Sequence, residues 1–186
     1  MMILRRTLLA GALVFASASS AAAAPPPPAA AVRVAFVDTG NTGRSLMAEV
    51  LSRALAEQRG WPLKFISRGL DVDPWGEAPE VNAAALLAGR GLAVVGHRAR
   101  SLEARDITGA DLILVMTPTH REKVLALAPE AGPRLHLLSE WAVGVAEPIP
   151  DAWGKPMSAY QSVIAQLDRF LPLALERAAR LTPRAP

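Results

Sequence analysis

From Val32 onward, short runs of almost unbroken apolar residues alternate with longer segments of helical period, and that alternation limits the possible folds most. The pattern predicts strands over Val32–Val37, Leu63–Ser67, Asp111–Met116 and Arg134–Leu138. Between them it predicts helices over Ser45–Arg59, ended by Gly60, and over Glu80–Ala88, stopped by Gly89. Thr117 and Pro118 cap a further helix that runs through Leu127. The last helix starts near Pro156, buries Met157, Tyr160, Ile164, Leu167 and Leu171, and is expected to kink or end at Pro172. Strands that are apolar on both faces need cover on both faces. The expected fold class is therefore α/β, a single four-stranded parallel sheet between two layers of helix.

Residues 34–49 carry the chemistry. The run Val34–Val37 stops at Asp38, a polar turn follows (Thr39, Gly40, Asn41, Thr42, Gly43), and then come Arg44, Ser45 and a helix. A strand that opens through small residues into a helix N-terminus is an anion site in outline. The turn's N–H groups can point inward, and the helix dipole adds about half a positive charge. Arg44, where loop becomes helix, can clamp two oxygens of one anion. The same residues also suit an ordinary turn with a surface arginine, and taken alone they leave that open.

Residues 1–24 read as an address. A basic start (Met1–Arg6), an apolar run (Thr7–Ala16) and small residues to Ala24 form a secretory signal, with Arg5 and Arg6 hinting at the twin-arginine type. Pro25–Pro28 begin a stiff linker over residues 25–31, and the domain is expected over 32–181. The mature protein is then periplasmic or secreted, with no membrane attachment once the signal is removed. Of 20 lysines and arginines against 17 acidic residues, two leave with the signal. The nearly neutral remainder argues against nucleic acid as a partner. The chain has no cysteine, which rules out disulfides, thiolate metal sites and a thiol nucleophile. Its three histidines show no metal-ligand spacing, so neither metal nor cofactor is expected. His97 and His136 read as structural or surface residues, and His120 as an outward one on its helix.

Three families share these letters. Asp38-Thr39-Gly40 after an apolar run resembles retroviral-type aspartic proteases, but those are all-β. Asp38 with Gly40-Asn41-Thr42 is similar to the first phosphate loop of actin-fold kinases, but their second phosphate loop and larger domains are missing. The low-molecular-weight protein tyrosine phosphatases fit throughout. Their loop reads cysteine, five residues, then Arg-Ser; here Asp38 stands in the cysteine position, while Gly40, Asn41, Arg44, Ser45, Ala48 and Glu49 match. Further resemblance runs through Ser67-Arg68-Gly69, Gly91-Leu92 with His97 and Arg100, Ala110–Met116, Leu137-Leu138, Pro150–Pro156 and Ala159-Tyr160. The resemblance implies the phosphotyrosine phosphatase I-like, Rossmann-like three-layer fold. It implies a phosphate-binding loop of Thr39, Gly40, Asn41, Thr42, Gly43, Arg44 and Ser45, with Arg44 as clamp. Asp151 falls at the general acid, and Trp75 and Trp153 at the aromatic walls around a substrate ring.

Asp38 is the departure that matters, since the family's chemistry runs through a thiolate there. A carboxylate is a harder, weaker nucleophile, and at about 4 Å it repels a phosphate charge by about 4 kcal/mol at an effective dielectric of 20. Its oxygens can also accept the loop amides and fill the nest themselves. Leu46 and Ala152 replace two of the family's prolines, after Arg44-Ser45 and after Asp151, and Thr117 replaces an aspartate. The resulting expectation is an exported pseudophosphatase or oxyanion-binding module, whose ligand is phosphate, sulfate or a phosphorylated molecule and which can also serve a protein partner. The alternative is a phosphomonoesterase with Asp38 as nucleophile, through an acyl-phosphate, and Asp151 as acid. A purely structural role in a protein–protein contact is the third reading.

Overall fold

The computed structural model describes residues 30–184. The signal at 1–24 and nearly all of the linker lie outside the described residues. Four strands, β1 (Val32–Asp38), β2 (Leu63–Gly69), β3 (Leu112–Val115) and β4 (Leu135–Leu137), form one all-parallel sheet in the order β2-β1-β3-β4. The helices are α1 (Arg44–Arg59), α2 (Val81–Ala88), α3 (Ala104–Gly109), α4 (Pro118–Leu127), α5 (Leu138–Val143) and α6 (Met157–Ala178), with a 3-10 turn at Pro129–Arg134.

Because successive strand residues face opposite ways, each central strand feeds two cores. Val34 and Phe36 of β1 and Leu112 and Leu114 of β3 pack with α1, α2, α5 and α6. Ala35, Val37, Ile113 and Val115 point the other way, toward Ile107 of α3 and Val124 of α4. Both faces are covered, as the unbroken apolar runs require.

The chain leaves β1 for β2 on one side and returns to β3 on the other, so the strand order reverses at the carboxyl end of β1. That crevice is where open α/β sheets bind ligands, and Asp38 is the last residue of β1.

Two expectations need correction. Pro172 does not end the last helix, which runs on to Ala178. Leu171, Ala174, Leu175 and Ala178 are buried on both sides of the proline, and that packing outweighs the one backbone bond it deletes. His120 is not outward. It is buried in the first turn of α4, which starts at the ligand-binding edge of the sheet.

Candidate active site

The loop between β1 and α1 is built around the Asp38 carboxylate, which is only 2% exposed. One oxygen, Oδ1, accepts the Asn41 N–H at 2.7 Å, and Oδ2 accepts the Ser45 N–H at 2.9 Å. The inward amides thus close on a side chain of their own loop. Burial pushes the Asp38 carboxyl up from its ordinary value, opposed by the Ser45 N–H, the Arg44 charge, the Asn41 N–H and the Ser45 hydroxyl.

Asn41 makes the turn possible. Its φ of 56° lies in the left-handed region, which asparagine tolerates better than most residues. Its Nδ2 donates to Ser45 Oγ at 3.0 Å, while its Oδ1 accepts the Arg100 N–H at 3.0 Å. The Asn41 carbonyl lies 2.8 Å from His97 Nε2, which gives His97 the structural place expected of it. The loop also packs tightly against the end of β2: a Cβ on Gly69 would stand 2.7 Å from the Thr39 carbonyl oxygen. On its outer side Thr42 Oγ1 donates to Glu80 Oε1 at 2.9 Å, and Glu80 Oε2 accepts the Tyr160 hydroxyl. Gly43 leaves room for that carboxylate, since a Cβ there would be 2.7 Å from Glu80 Oε1.

Arg44 is buried and already engaged. It donates to the Ile149 carbonyl at 3.2 Å and pairs with Asp151 Oδ1 at 3.2 Å. Asp38, Arg44 and Asp151 all line one cavity of about 350 Å³, with Thr39, Gly40 and Thr42 as its floor. Asn41 and Ser45 shape this floor from behind. Trp153, 69% exposed, forms one wall; Trp75, 91% exposed on the loop after β2, does not line the cavity.

Sequence reasoning missed two features. The cavity carries Asp71, Glu77 and Glu80 besides Asp38 and Asp151, against Arg44 as the single cation among its described lining residues. His120 stands behind Thr39, its Nε2 3.0 Å from Thr39 Oγ1, with Nδ1 buried and unpartnered among the described residues. Burial, then the Arg44 and Lys123 charges, hold its pKa down to about 4, against the pull of Asp151, so the ring is neutral at pH 7. Position was the available signal, because the helix after a central strand begins at the site's edge. Among the described residues no group of three or more potential ligands is placed to hold a metal, and no helix is long and apolar enough to cross a membrane.

A family model described as low molecular weight phosphotyrosine protein phosphatase matches residues 33–181. A protein-arginine-phosphatase of Bacillus subtilis (strain 168) is 29% identical over 138 residues, 74% of this chain and 91% of that one. The low molecular weight protein-tyrosine-phosphatase Etp of Escherichia coli (strain K12) is 32% identical over 137 residues, 73% of this chain and 87% of that one. A solved YwlE arginine phosphatase, a cysteine-to-serine mutant with a phosphorylated active-site serine, has a TM-score of 0.76 at 27% identity. That match covers 80% of this chain and 97% of the other.

Proposed function

The chain belongs to the low molecular weight phosphotyrosine protein phosphatase family, and from that premise we propose that it is a catalytically inactive or impaired member, an exported binding module more than an enzyme. The observation that carries this reading is the pair of bonds from the Asn41 and Ser45 amides to Asp38. Groups that would hold a phosphoryl oxygen hold an internal carboxylate instead. The pairing of Arg44 with Asp151 and the acidic lining of the cavity act in the same direction, since both raise the cost of admitting a dianion.

The test is anion binding at the loop. Removing the internal acceptor in Asp38→Ala frees two amides and the field of Arg44. Phosphate or sulfate affinity at this cavity should rise by about tenfold to a hundredfold, measured by titration calorimetry with NMR to locate the site. Unchanged affinity at the loop in a folded Asp38→Ala protein would count against self-occupation.

A second reading has its own support. Asp38 and Asp151 share a cavity with Arg44 between them, and a solved relative carries its phosphoryl group on a serine oxygen. On this reading an Asp38 oxygen attacks phosphorus while the ester oxygen departs with a proton from Asp151. Water, giving its proton back to Asp151, then cleaves the acyl-phosphate. Turnover of aryl phosphate by wild-type protein, abolished in Asp38→Asn, would decide for it.

The proposed export rests on the basic-apolar-small pattern of Met1–Ala24. Expressed with its full sequence, the protein should be recovered from the periplasm or medium with a new N-terminus in the Ala18–Ala24 region. Mass spectrometry showing an intact Met1 in a cytoplasmic fraction would overturn the export proposal.

A further inference from the structure

Behind the loop, a second cavity of about 270 Å³ that shares no lining residue with the acidic one has the opposite charge. Arg53, Arg68, Arg98 and Arg100 surround it against Glu49 as its one lining carboxylate, with His97 and Asn41 forming the wall shared with the loop. Two of these arginines are compensated: Arg68 holds Asp106 through two bonds at 2.8 and 2.9 Å, and Arg53 holds Glu49. The Arg98 and Arg100 side chains enter no ion pair among the described residues.

The backbone that presents them is held firmly. The Arg100 N–H donates to Asn41 Oδ1, the Arg100 carbonyl accepts the Gly69 N–H at 2.9 Å, and the Ala99 N–H donates to the Glu77 carbonyl at 2.9 Å. Two uncompensated, solvent-exposed cations are therefore carried on a fixed backbone beside two compensated ones around one hollow, and an anion in that hollow would relieve their mutual repulsion. Guanidinium groups offer paired N–H donors that match tetrahedral oxyanions.

We infer that this rear cavity is a second oxyanion site, for a phosphate-class anion either free or carried on an ester, with Arg98 and Arg100 as its principal ligands. The inference stands apart from the proposed state of the front loop, because it concerns other residues and another cavity. It also gives the molecule a place for an anion that the carboxylate-lined front disfavours. A ligand there would bear on the loop directly, because His97 and the Arg100 N–H both contact Asn41.

The experiment titrates inorganic phosphate, and in a second arm phenyl phosphate, into the mature wild-type protein, Arg98→Ser/Arg100→Ser and Asp38→Ala. Calorimetry gives affinity, and ¹⁵N NMR gives location. Wild-type protein should bind saturably with shifts at residues 96–100, and the double variant should bind on the order of tenfold or more weakly for each arginine lost. Asp38→Ala should keep this event and add a separate one with shifts at residues 39–42. Tighter binding of phenyl phosphate than of phosphate would assign the site to esters, and equal binding to the free ion. No saturable binding by wild-type protein, or binding unchanged in a folded double variant, would overturn the inference. Failure of the front-loop reading would show instead as shifts at residues 39–42 that persist in the Arg98→Ser/Arg100→Ser protein, where the rear site is lost but Asp38 is intact.

Discussion

Asp38→Cys is expected to convert a protein with little or no aryl-phosphatase activity into one that turns over phenyl phosphate under reducing conditions, a gain of about two to four orders of magnitude. The introduced sulfur would stand where the Asn41 and Ser45 amides already converge and where α1 begins. Those amides, the helix N-terminus and Arg44 all favour a thiolate over a thiol. Sulfur adds the soft nucleophile that the carboxylate lacks. Arg44 would have to turn from Asp151 to the phosphoryl oxygens, and Asp151, more than half exposed, can release it at little cost. Combined with Asp38→Cys, loss of Arg44 or of Asp151 should each remove most of the gain, since one holds the anion and the other protonates the leaving oxygen. A folded Asp38→Cys protein that stays inactive would mean that the acidic lining from Asp71 to Glu80, not the missing thiol, excludes substrate.

What the sequence made legible follows from how local each signal is. The four strands could be read because each is a dense apolar run, and burial on both faces of β1 and β3 is what such runs encode. The loop could be read because strand, small residues and helix start follow one another directly between Val34 and Ser45. Short α3 gave no apolar period; it is fixed by the reciprocal cap between Glu103 and Asp106 and by Arg68, which is distant in the chain. Helix α5 follows β4 with no turn residue between them, so Arg134–Leu138 read as one strand although β4 ends at Leu137, and only Gly144 marks the helix end.

The site was legible as far as its motif extends. Asp38 and Asp151 are 113 positions apart in sequence, and the resemblance put them in one crevice, where they now face a common cavity. The acidic lining and the rear arginines were hidden because each residue looks like an ordinary surface charge until the loops after β2 and α2 fold back on the phosphate loop. The bond from His120 to Thr39 was hidden for the same reason, as it joins residues 81 positions apart.

The largest stability effect is expected at Asp111, far from the chemistry. Its side chain is 2% exposed. One oxygen accepts the Arg33 N–H at 2.7 Å and Nε at 3.1 Å; the other accepts Arg33 Nη2 at 2.9 Å and the Arg184 N–H at 2.9 Å. These bonds tie the second residue of β1 and the segment after α6 to the start of β3. Burial pushes the Asp111 carboxyl up, but the Arg33 guanidinium with the Arg33 and Arg184 amides outweighs it, leaving its pKa below the ordinary value. A carboxyl depressed in the folded state stabilises the fold above its unfolded pKa, and that contribution fades as pH falls through the lower folded value. Asp111→Ala should therefore cost about 2–4 kcal/mol at pH 7, because it removes the acceptor of two backbone amides and of the Arg33 guanidinium at once; the partial exposure of Arg33 and Arg184 limits each contribution. The thermal midpoint should drop by about 5–15 °C. Asp111→Asn keeps the shape and loses the charge, so it should lose less at neutral pH, and its midpoint should converge on that of wild-type protein as pH falls below about 3.8. A constant gap between the two down to acid unfolding would mean that the network stabilises through packing and hydrogen bonds alone, without a contribution from the ionised carboxylate.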